Sequence, residues 1–540
     1  MPSAVTEKGY AARRYESMAS NREAFLERAR RCAALTKPYI AREEGDDGNT
    51  DTAVPWSSFG ADAVNNITNK VSLSLFPAAV SWTRMGPSRK VLTQLSQNVD
   101  EAEFGEIKGD LEKAFSQIEK EFVHVIEEDG DRVILHDGIE HLIVTGNYGL
   151  ALNDDGKVRG IPLRRYVTRR DALGVLLEFC IKDPLDWKTL PKDVKDAALA
   201  AGMPDPTKDS TDPSGKAPSV DVFTYGVFKE GKYTVWQEVH TVKVDGSEAT
   251  YSPQKLPYLF LRWRVNEDED YGRSYVEDFE GDLQSLEGLY QMVQEGGASV
   301  ARFLWMVRPG GVTSKQQLVE TRNGGVITGD QNDVAALRAE KGGDLSFVME
   351  IIERIESRLA KVFLFNSAVQ RGGERVTAEE IRFVAQQLED QLGTAYSNQV
   401  VSFQAPYARI KLRAAWKKGR VTKVPENAID VRIITGAAAL GRLADLRLLD
   451  ELLLGGAQVL AAMPPYTINE NAYMQRRASA LGVDTAGIVL TEEERQANVE
   501  ADQQAQLAQQ VAPEVTKQAG QMIQNQQNAE LQQENTADGN

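Results

Sequence analysis

Two cysteines, Cys32 and Cys180, are all that 540 residues contain, and they stand far apart with no Cys-x-x-Cys. That argues against a disulfide framework or a thiolate zinc site and suits a reducing cytoplasm. Histidine is as sparse: His124, His136, His141 and His240. His136 and His141 are five apart and point from different helix faces, missing the i,i+4 spacing of a helical zinc site. His124 is expected on the polar side of its helix and His240 in a strand, each solvated or locally bonded. No stretch approaches about 18 uninterrupted apolar residues. The nearest candidates, Val71–Val80 and Leu452–Met463, are short and interrupted, so no membrane insertion is expected. The opening residues, Met-Pro-Ser-Ala-Val-Thr-Glu-Lys, hold no apolar run and do not read as a secretory signal.

The chemistry-bearing motifs are missing too. A phosphate-cradling loop needs Gly-x-x-x-x-Gly-Lys-Ser/Thr, so that backbone amides wrap the phosphates. Gly310-Gly311-Val312-Thr313-Ser314-Lys315 has that composition without the spacing, and no acidic strand end follows to hold magnesium. No Gly-x-Ser-x-Gly elbow occurs, and neither cysteine sits in a catalytic signature. The acidic run Glu267-Asp268-Glu269-Asp270 points in divergent directions, whereas two-metal sites need convergent carboxylates from separate elements. The Asp-rich stretch Glu43–Asp51 lacks the glutamate that closes a calcium loop. No enzymatic activity, metal or cofactor is expected.

What is present is a chain long enough for several domains. Its composition is ordinary for a folded protein, 42% hydrophobic and 26% charged, with a net charge of −17 from 62 basic and 79 acidic residues. Gripping DNA through a broad face needs clustered Lys and Arg. An acidic surface instead lets DNA pass by repelling phosphate.

Periodicity divides the chain. Residues 8–36 read as an amphipathic helix through Tyr15, Met18, Phe25 and Cys32, and 59–76 as a second ended by Pro77. A third spans 106–127 through Ile107, Leu111, Phe115, Ile118, Phe122 and Ile126. From 148 to 265 the period becomes two, with strands expected at 175–181, 219–228, 232–244 and 257–265. Leu259, Leu261, Trp263 and Val265 alternate with Arg262 and Arg264. A breaker-rich linker covers 203–218.

Ser274-x-x-Glu277 is a capping box. It opens a helix with a narrow stripe of Phe279, Leu283, Leu286, Tyr290 and Val293. Short strands and turns are expected over 308–343, then a second narrow-striped helix with Val348, Ile351, Ile355, Leu359 and Val362. Stripes this narrow suit helices packed in an assembly. A polar loop, 366–376, precedes a further capping box at Thr377-x-x-Glu380 and a long helix bent at Gly393 and Pro406. Helices continue through 440–460 and from Thr491. From Gln496 to the end 13 of 45 residues are Gln, too polar for a core of their own. No internal repeat of 20–50 residues appears, which argues against solenoids and propellers. These readings give an α+β, predominantly helical, oligomeric protein.

The residues themselves carry a resemblance. Tyr271-Gly272-Arg273-Ser274-Tyr275-Val276-Glu277 running on to Gly281-Asp282-Leu283-Gln284-Ser285-Leu286-Glu287, and Phe365–Arg382, resemble the head-to-tail connectors of short-tailed, autographivirus-type phages. So do Pro55-Trp56-Ser57-Ser58-Phe59-Gly60 through Asn65-Asn66 to Leu75-Phe76-Pro77, and Val483–Glu493. The blocks keep the family's order over nearly the whole chain.

The resemblance implies the phage portal fold, with wing, stem, clip and crown in a ring of twelve copies around a central DNA channel at one capsid vertex. Laid onto this chain, 1–270 is wing, including the β-rich part 148–265. The first stem helix is 271–304, the clip 305–343 and the second stem helix 344–365. Residues 366–376 become the tunnel loop, 377–435 a long bent helix returning to the wing, 436–495 the crown and 496–540 the tail. The resemblance further implies a virion protein made in the bacterial host cytoplasm. Implied partners are double-stranded DNA passing without sequence recognition, the packaging terminase, the tail adaptor, the major capsid and scaffolding proteins, and internal core proteins. Twelve chains of this charge carry about −200 together.

Within that frame Gln370, Arg371, Gly372, Gly373, Glu374 and Arg375 form a loop made mobile by two glycines. Its arginines either touch phosphates transiently or pair with Glu374 and other acids. Trp305, Met306, Val307, Arg308 and Pro309 are the candidate partner surface of the clip, and Leu304–Val307 serve equally as intersubunit core. A capsid-associated protein without a channel fits the missing motifs but not two striped helices flanking an insert. A DNA-processing enzyme needs a nucleotide or metal site.

Overall fold

The computed structural model describes residues 9–43, 45–46, 49–77, 82–87, 91, 93, 97, 101–153, 155–203, 219–300, 304–322, 325–337, 342–365, 387–388, 390–422, 429–433 and 522–525. Two compact units divide the chain, one running to Ala439 and one from Leu440. Of the second only 522–525 are described, as helix.

Helix α1 (Tyr10–Ala34) realises the period read over 8–36. Its first turn is closed by a distant carboxylate: the Ala11 N–H donates to both oxygens of Glu238 at 3.2 Å. Negative charge there complements the helix dipole. The helix then crosses three cores. Ala11, Ala12, Tyr15 and Met18 pack with Val167, Cys180, Phe223 and Tyr225. Leu26 and Ala29 pack with Leu163, Phe179 and Phe260, and Cys32 and Ala33 enter the main helical core. Arg22, only 3% exposed, donates to the Tyr15 hydroxyl (2.8 Å) and the carbonyls of Arg164 (2.8 Å) and Tyr166 (3.1 Å). Those acceptors offset the cost of burying a charge.

The sheet beneath α1 is antiparallel and runs β4 (Tyr166–Arg170), β5 (Leu176–Asp186), β6 (Ser219–Lys229), β7 (Lys232–Val239), β8 (Val242–Lys243), with β9 (Ala249–Tyr251) also on β7. The segment expected as one strand over 232–244 is broken by a tight turn. His240 sits in that turn, not in a strand, with φ +53°. Reversing the chain needs a left-handed residue, a conformation histidine adopts more readily than β-branched residues. A second antiparallel sheet orders β10 (Tyr258–Arg262), β2 (Asn147–Leu152) and β3 (Val158–Ile161). Leu261 and Trp263 are buried as the alternation predicts. Phe260 on the other face is buried too, and Val265, beyond the strand end, is 45% exposed.

The main core gathers helices α2 (Phe59–Leu75), α3 (Glu101–Glu128) and α4 (Asp131–Thr145) against β2. Helix α4 lies outside the elements read from periodicity. It is surrounded by α1, α2 and β2–β3, so its buried residues run nearly all round and no clean stripe survives. Gly146 ends it at φ +75°, where a Cβ would lie 2.6 Å from the Arg273 carbonyl carbon. The chain passes there against Tyr271-Gly272-Arg273. Asn147 exchanges two hydrogen bonds with Gly272 (2.7 and 2.8 Å), and the buried Tyr271 hydroxyl accepts from the Thr168 N–H at 3.0 Å.

Further along the chain, Gly393 (φ +47°) precedes α9 (Thr394–Gln399), a wide π turn (Val400–Gln404) and α10 (Ala405–Lys417). Pro406 has no N–H to give, and the widened turn accommodates that loss. The helix ends at Lys417, short of the expected 435. Residues Ile429–Ile433 form strand β13 instead, antiparallel to β1 (Thr83–Pro87). Lys411 of α10 is 1% exposed and stands 2.7 Å from both Asp129 and Asp131. It also donates to the Gly156 carbonyl at 2.7 Å. Tyr407 donates to Asp131 at 2.6 Å and Arg420 to Asp129 at 2.8 Å. The network pins α10 to the α3–α4 turn.

Candidate functional site

The Ser274-x-x-Glu277 signal is half realised. The Ser274 hydroxyl accepts the Glu277 N–H at 2.8 Å. The Glu277 carboxylate turns away and takes Arg273 (2.8 Å) and Arg28 (3.7 Å) instead. A 3-10 turn over Val276–Phe279 then feeds α6 (Glu280–Val300), whose partner is α8 (Gly342–Val362). Two further helices among the described residues are α5 (Lys192–Ala200), on the six-stranded sheet, and α7 (Lys315–Glu320).

The two helices pack along the narrow stripes. Leu283 and Leu286 are buried, and Phe279, Tyr290 and Val293 pack partly buried against the same core. On α8 the buried positions are Ile352 and Leu359, with Val348, Ile355 and Val362 flanking; Ile351, read into the stripe, lies one step off it, half-buried. Tyr290 donates to Glu356 across the pair at 2.6 Å, which, with burial, pushes its phenol up to about 12. Arg358 pairs with Asp282. The two helices hold eight acidic residues against three basic. An extended strap lies along α6: the Trp56 and Ser57 N–H groups donate to Glu287 at 2.5 and 3.1 Å, and Gln294 donates to the Trp56 carbonyl at 3.3 Å.

Between the helices, β11 (Leu304–Val307) and β12 (Val334–Leu337) form an antiparallel ribbon, Trp305 opposite Ala336 and Val307 opposite Val334. Of the five residues proposed as a partner surface, Met306 is 56% exposed, Arg308 and Pro309 are exposed and Val307 is half-buried. Trp305 is placed by its backbone pairing alone. The glycine-rich turn that resembles a phosphate loop in composition closes on the protein's own carboxylate. Asp333, 6% exposed, accepts the N–H groups of Val312 (2.8 Å) and Thr313 (3.2 Å) and the Thr313 hydroxyl (3.3 Å). A Cβ on Gly311 would lie 2.5 Å from that carboxylate.

At the other end α8 stops in a left-handed turn. Leu364 has φ +62°, and the Phe365 N–H reaches back to the Ala360 carbonyl at 2.8 Å. Glycine usually takes this position. A leucine costs on the order of 1–2 kcal/mol there, and Leu364 is held by being 2% exposed. The Tyr275 hydroxyl donates to the Val362 carbonyl at 3.1 Å, Asn66 to that of Phe363 at 2.6 Å, and Lys70 to that of Leu364. Burial pushes the Lys70 ammonium down to about 8. Phe59, Phe279, Phe363, Phe365 and Tyr275 pack around this stop.

Gln370, Arg371, Gly372, Gly373, Glu374 and Arg375 lie outside the described residues, as do the linker 204–218, the capping box at Thr377, the segments at 440–460 and Thr491, and the Gln-rich tail but for 522–525. Asn66 stands in one of the family-like blocks, whereas Lys70 and Asp333 carry no motif. The only signal for Lys70 is a lysine inside the apolar period of α2.

With this geometry in hand, the comparisons with known proteins are specific. Residues 8–489 match the family described as bacteriophage head to tail connecting protein, and the chain belongs to it. The portal protein of Enterobacteria phage T3 is 35% identical over 489 residues, covering 89% of this chain and 88% of its own. That of Escherichia phage T7 is 34% identical with the same coverage. The portal protein of Pseudomonas phage phiKMV is 28% identical over 89% of this chain and 92% of its own. A chain from the neck of an empty gene transfer agent particle is 12% identical, covering 79% and 90% of the two chains, at a TM-score of 0.34, too distant to argue from. The portal fold implied by the resemblance is the fold of this family, predominantly helical with antiparallel sheets.

Proposed function

We propose that this chain is the portal subunit of a short-tailed phage: a ring around a channel through which double-stranded DNA is packaged and ejected. The observation that carries the reading is the family match over residues 8–489, with portal relatives aligned along nearly nine-tenths of the chain. The α6–α8 pair with its intervening ribbon is the part of the fold that suits a channel wall ending in a docking edge. Its outer surface is acidic on balance, which keeps passing phosphate from binding firmly.

The chain works as a passive conduit in the virion, and a separate packaging terminase supplies the ATP-driven work. Met306, Val307, Arg308 and Pro309, with Trp305 in the paired strand, form the edge that terminase and later the tail adaptor meet. Capsid, scaffolding and internal core proteins contact the remaining surface. The loop Gln370–Arg375 brings Arg371 and Arg375 to the DNA in every copy, where guanidinium groups touch phosphate without reading bases.

Native mass spectrometry with electron microscopy of the purified protein tests the ring: a closed ring with a DNA-wide hole is expected, and monomers or unperforated shells overturn the reading. Replacing Arg371 and Arg375 together is expected to lower genome packaging or retention while rings remain intact. DNA-filled heads at the parental level would remove the loop from the mechanism.

A further inference from the structure

Ile351 lies one step off the buried stripe of α8, and it has company there. Phe347, Ile351, Arg354, Arg358 and Lys361 follow one another at spacings of 4, 3, 4 and 3, a second row along one flank of the helix. Helices α6 and α8 run antiparallel, with Phe279 against Phe363 near one end and Tyr290 against Glu356 further along. Arg358 pairs with Asp282 on this flank. From Asp282 the same side of α6 continues through Leu289 to Met292. Phe347 and Met292 are 65% and 62% exposed, and the row's three cations are all that the two helices hold. The opposite flank has the other sign. It carries Met349, Glu353 and Glu356 from α8, and Gln284 and Glu287 from α6, with Trp56 of the strap lying along it. Trp56 and Met349 are 44% and 43% exposed. The two flanks also match in height along the pair. Phe347 and Met292 stand level with Met349 toward the ribbon, and Arg354 and Arg358 stand level with Glu353 and Glu356.

We propose that the α6–α8 pair docks side by side on a second copy of this chain, the Arg354 flank of one against the Glu353 flank of the next. Unlike faces meet, so the contact is head to tail, and repeating it about an axis along the helices closes a ring. Such a rotation keeps equal heights together. Apolar side chains then meet apolar ones, and guanidinium groups meet carboxylates. Within one chain Arg354 has Glu350 one turn away at 2.6 Å, with side chains 78% and 56% exposed. An ion pair that exposed is worth little and is readily exchanged for one across an interface. Closure into a ring rests on the portal reading above, whereas the choice of flanks rests on their charge and apolar pattern. DNA on the basic flank is the competing occupant, and it leaves the matching acidic flank without a role.

The test mixes two full-length variants. Arg354→Glu with Lys361→Glu makes the first flank acidic, and Gln284→Arg with Glu353→Arg makes the second basic. All four side chains are exposed, so both chains are expected to keep the parental melting temperature. Each variant alone sets like charge against like and is expected to form about tenfold fewer rings than the parent by native mass spectrometry. Mixed in equal amounts, the two regain rings in which they alternate, so the number of subunits is even. Parental rings from either variant alone, or no recovery on mixing, overturn the proposal. So does an Arg354 and Lys361 variant that keeps its rings but loses DNA retention, which assigns the basic flank to DNA. Phe347→Cys with Met349→Cys in one chain tests the apolar end without altering charge. The natural thiols, Cys32 and Cys180, are buried, and mild oxidation is expected to give a ladder of linked chains that Phe347→Cys alone does not give. Absence of the ladder in assembled rings overturns the proposal equally. A parent that stays monomeric fails the ring reading and this inference together, whereas rings indifferent to both charge reversals fail this inference alone.

Discussion

Asp333 and Lys411 show how single buried charges organise this chain. Asp333 gathers two amides and a hydroxyl from a turn twenty residues earlier in sequence. Asp333→Ala leaves those N–H groups without their acceptor, at about 2 kcal/mol. The loss is expected to stay local: faster amide exchange at Val312 and Thr313 and new protease cuts near Arg308, with the global melting temperature unchanged. Lys411 behaves differently because two carboxylates depend on it. Lys411→Met takes the cation from the buried Asp131 and one of two cations from Asp129, which keeps Arg420, and is expected to cost about 3 kcal/mol in denaturant unfolding at neutral pH. Burial pushes the Asp129 carboxyl up, but hydrogen bonds from Lys411 and Arg420 outweigh it and hold the group below its ordinary value. A depressed carboxyl stabilises the fold above its unfolded pKa and loses that stabilisation as pH falls through the folded one. Acid titration below about pH 4 therefore narrows the gap between the variant and the parent. None of these roles was legible in sequence, because each joins residues that only the fold brings together.

At the scale of elements, legibility tracked how one-sided each segment's burial is. Helices α1, α2 and α3 and the pair α6 and α8 each keep one buried face, and their periods announced them; the strand segments were marked by runs of Val, Phe, Tyr and Leu between turns, since β5 and β6 bury neighbours on both faces. Helix α4 is enclosed nearly all round and was silent. Ile351 and Ile352 are both apolar neighbours, so the stripe of α8 could be read one residue off. The ends were least legible. The left-handed stop at Leu364 carries no glycine to betray it, whereas α10 ends at a left-handed Gly419 (φ +66°), two residues past Lys417. The expected helix to 435 failed for a further reason: Ile429-Asp430-Val431-Arg432-Ile433 alternates cleanly, but its partner strand Thr83–Pro87 has the unpromising sequence Thr-Arg-Met-Gly-Pro.

For the whole molecule, that pairing joins positions about 350 residues apart. A chain truncated after Thr422 loses β13 and is expected to melt on the order of 10 °C lower, whereas one truncated after Ala439 keeps the parental melting temperature of the body. Differential scanning calorimetry of the two separates a strand that closes the body from one that merely trails it. The family was legible from dispersed blocks in order along the chain, and the structure explains several of them: Tyr271 and Gly272 lock the two sheets to α4, Trp56 straps α6, and Asn66 grips the end of α8. The β1–β13 closure also imposes a clock. Ribosomes add about 5–20 residues per second, so β1 waits on the order of 20–70 s for the strand that completes it. Until then the nascent chain exposes an open edge, and only a nearly full-length molecule can present a finished surface to its neighbours.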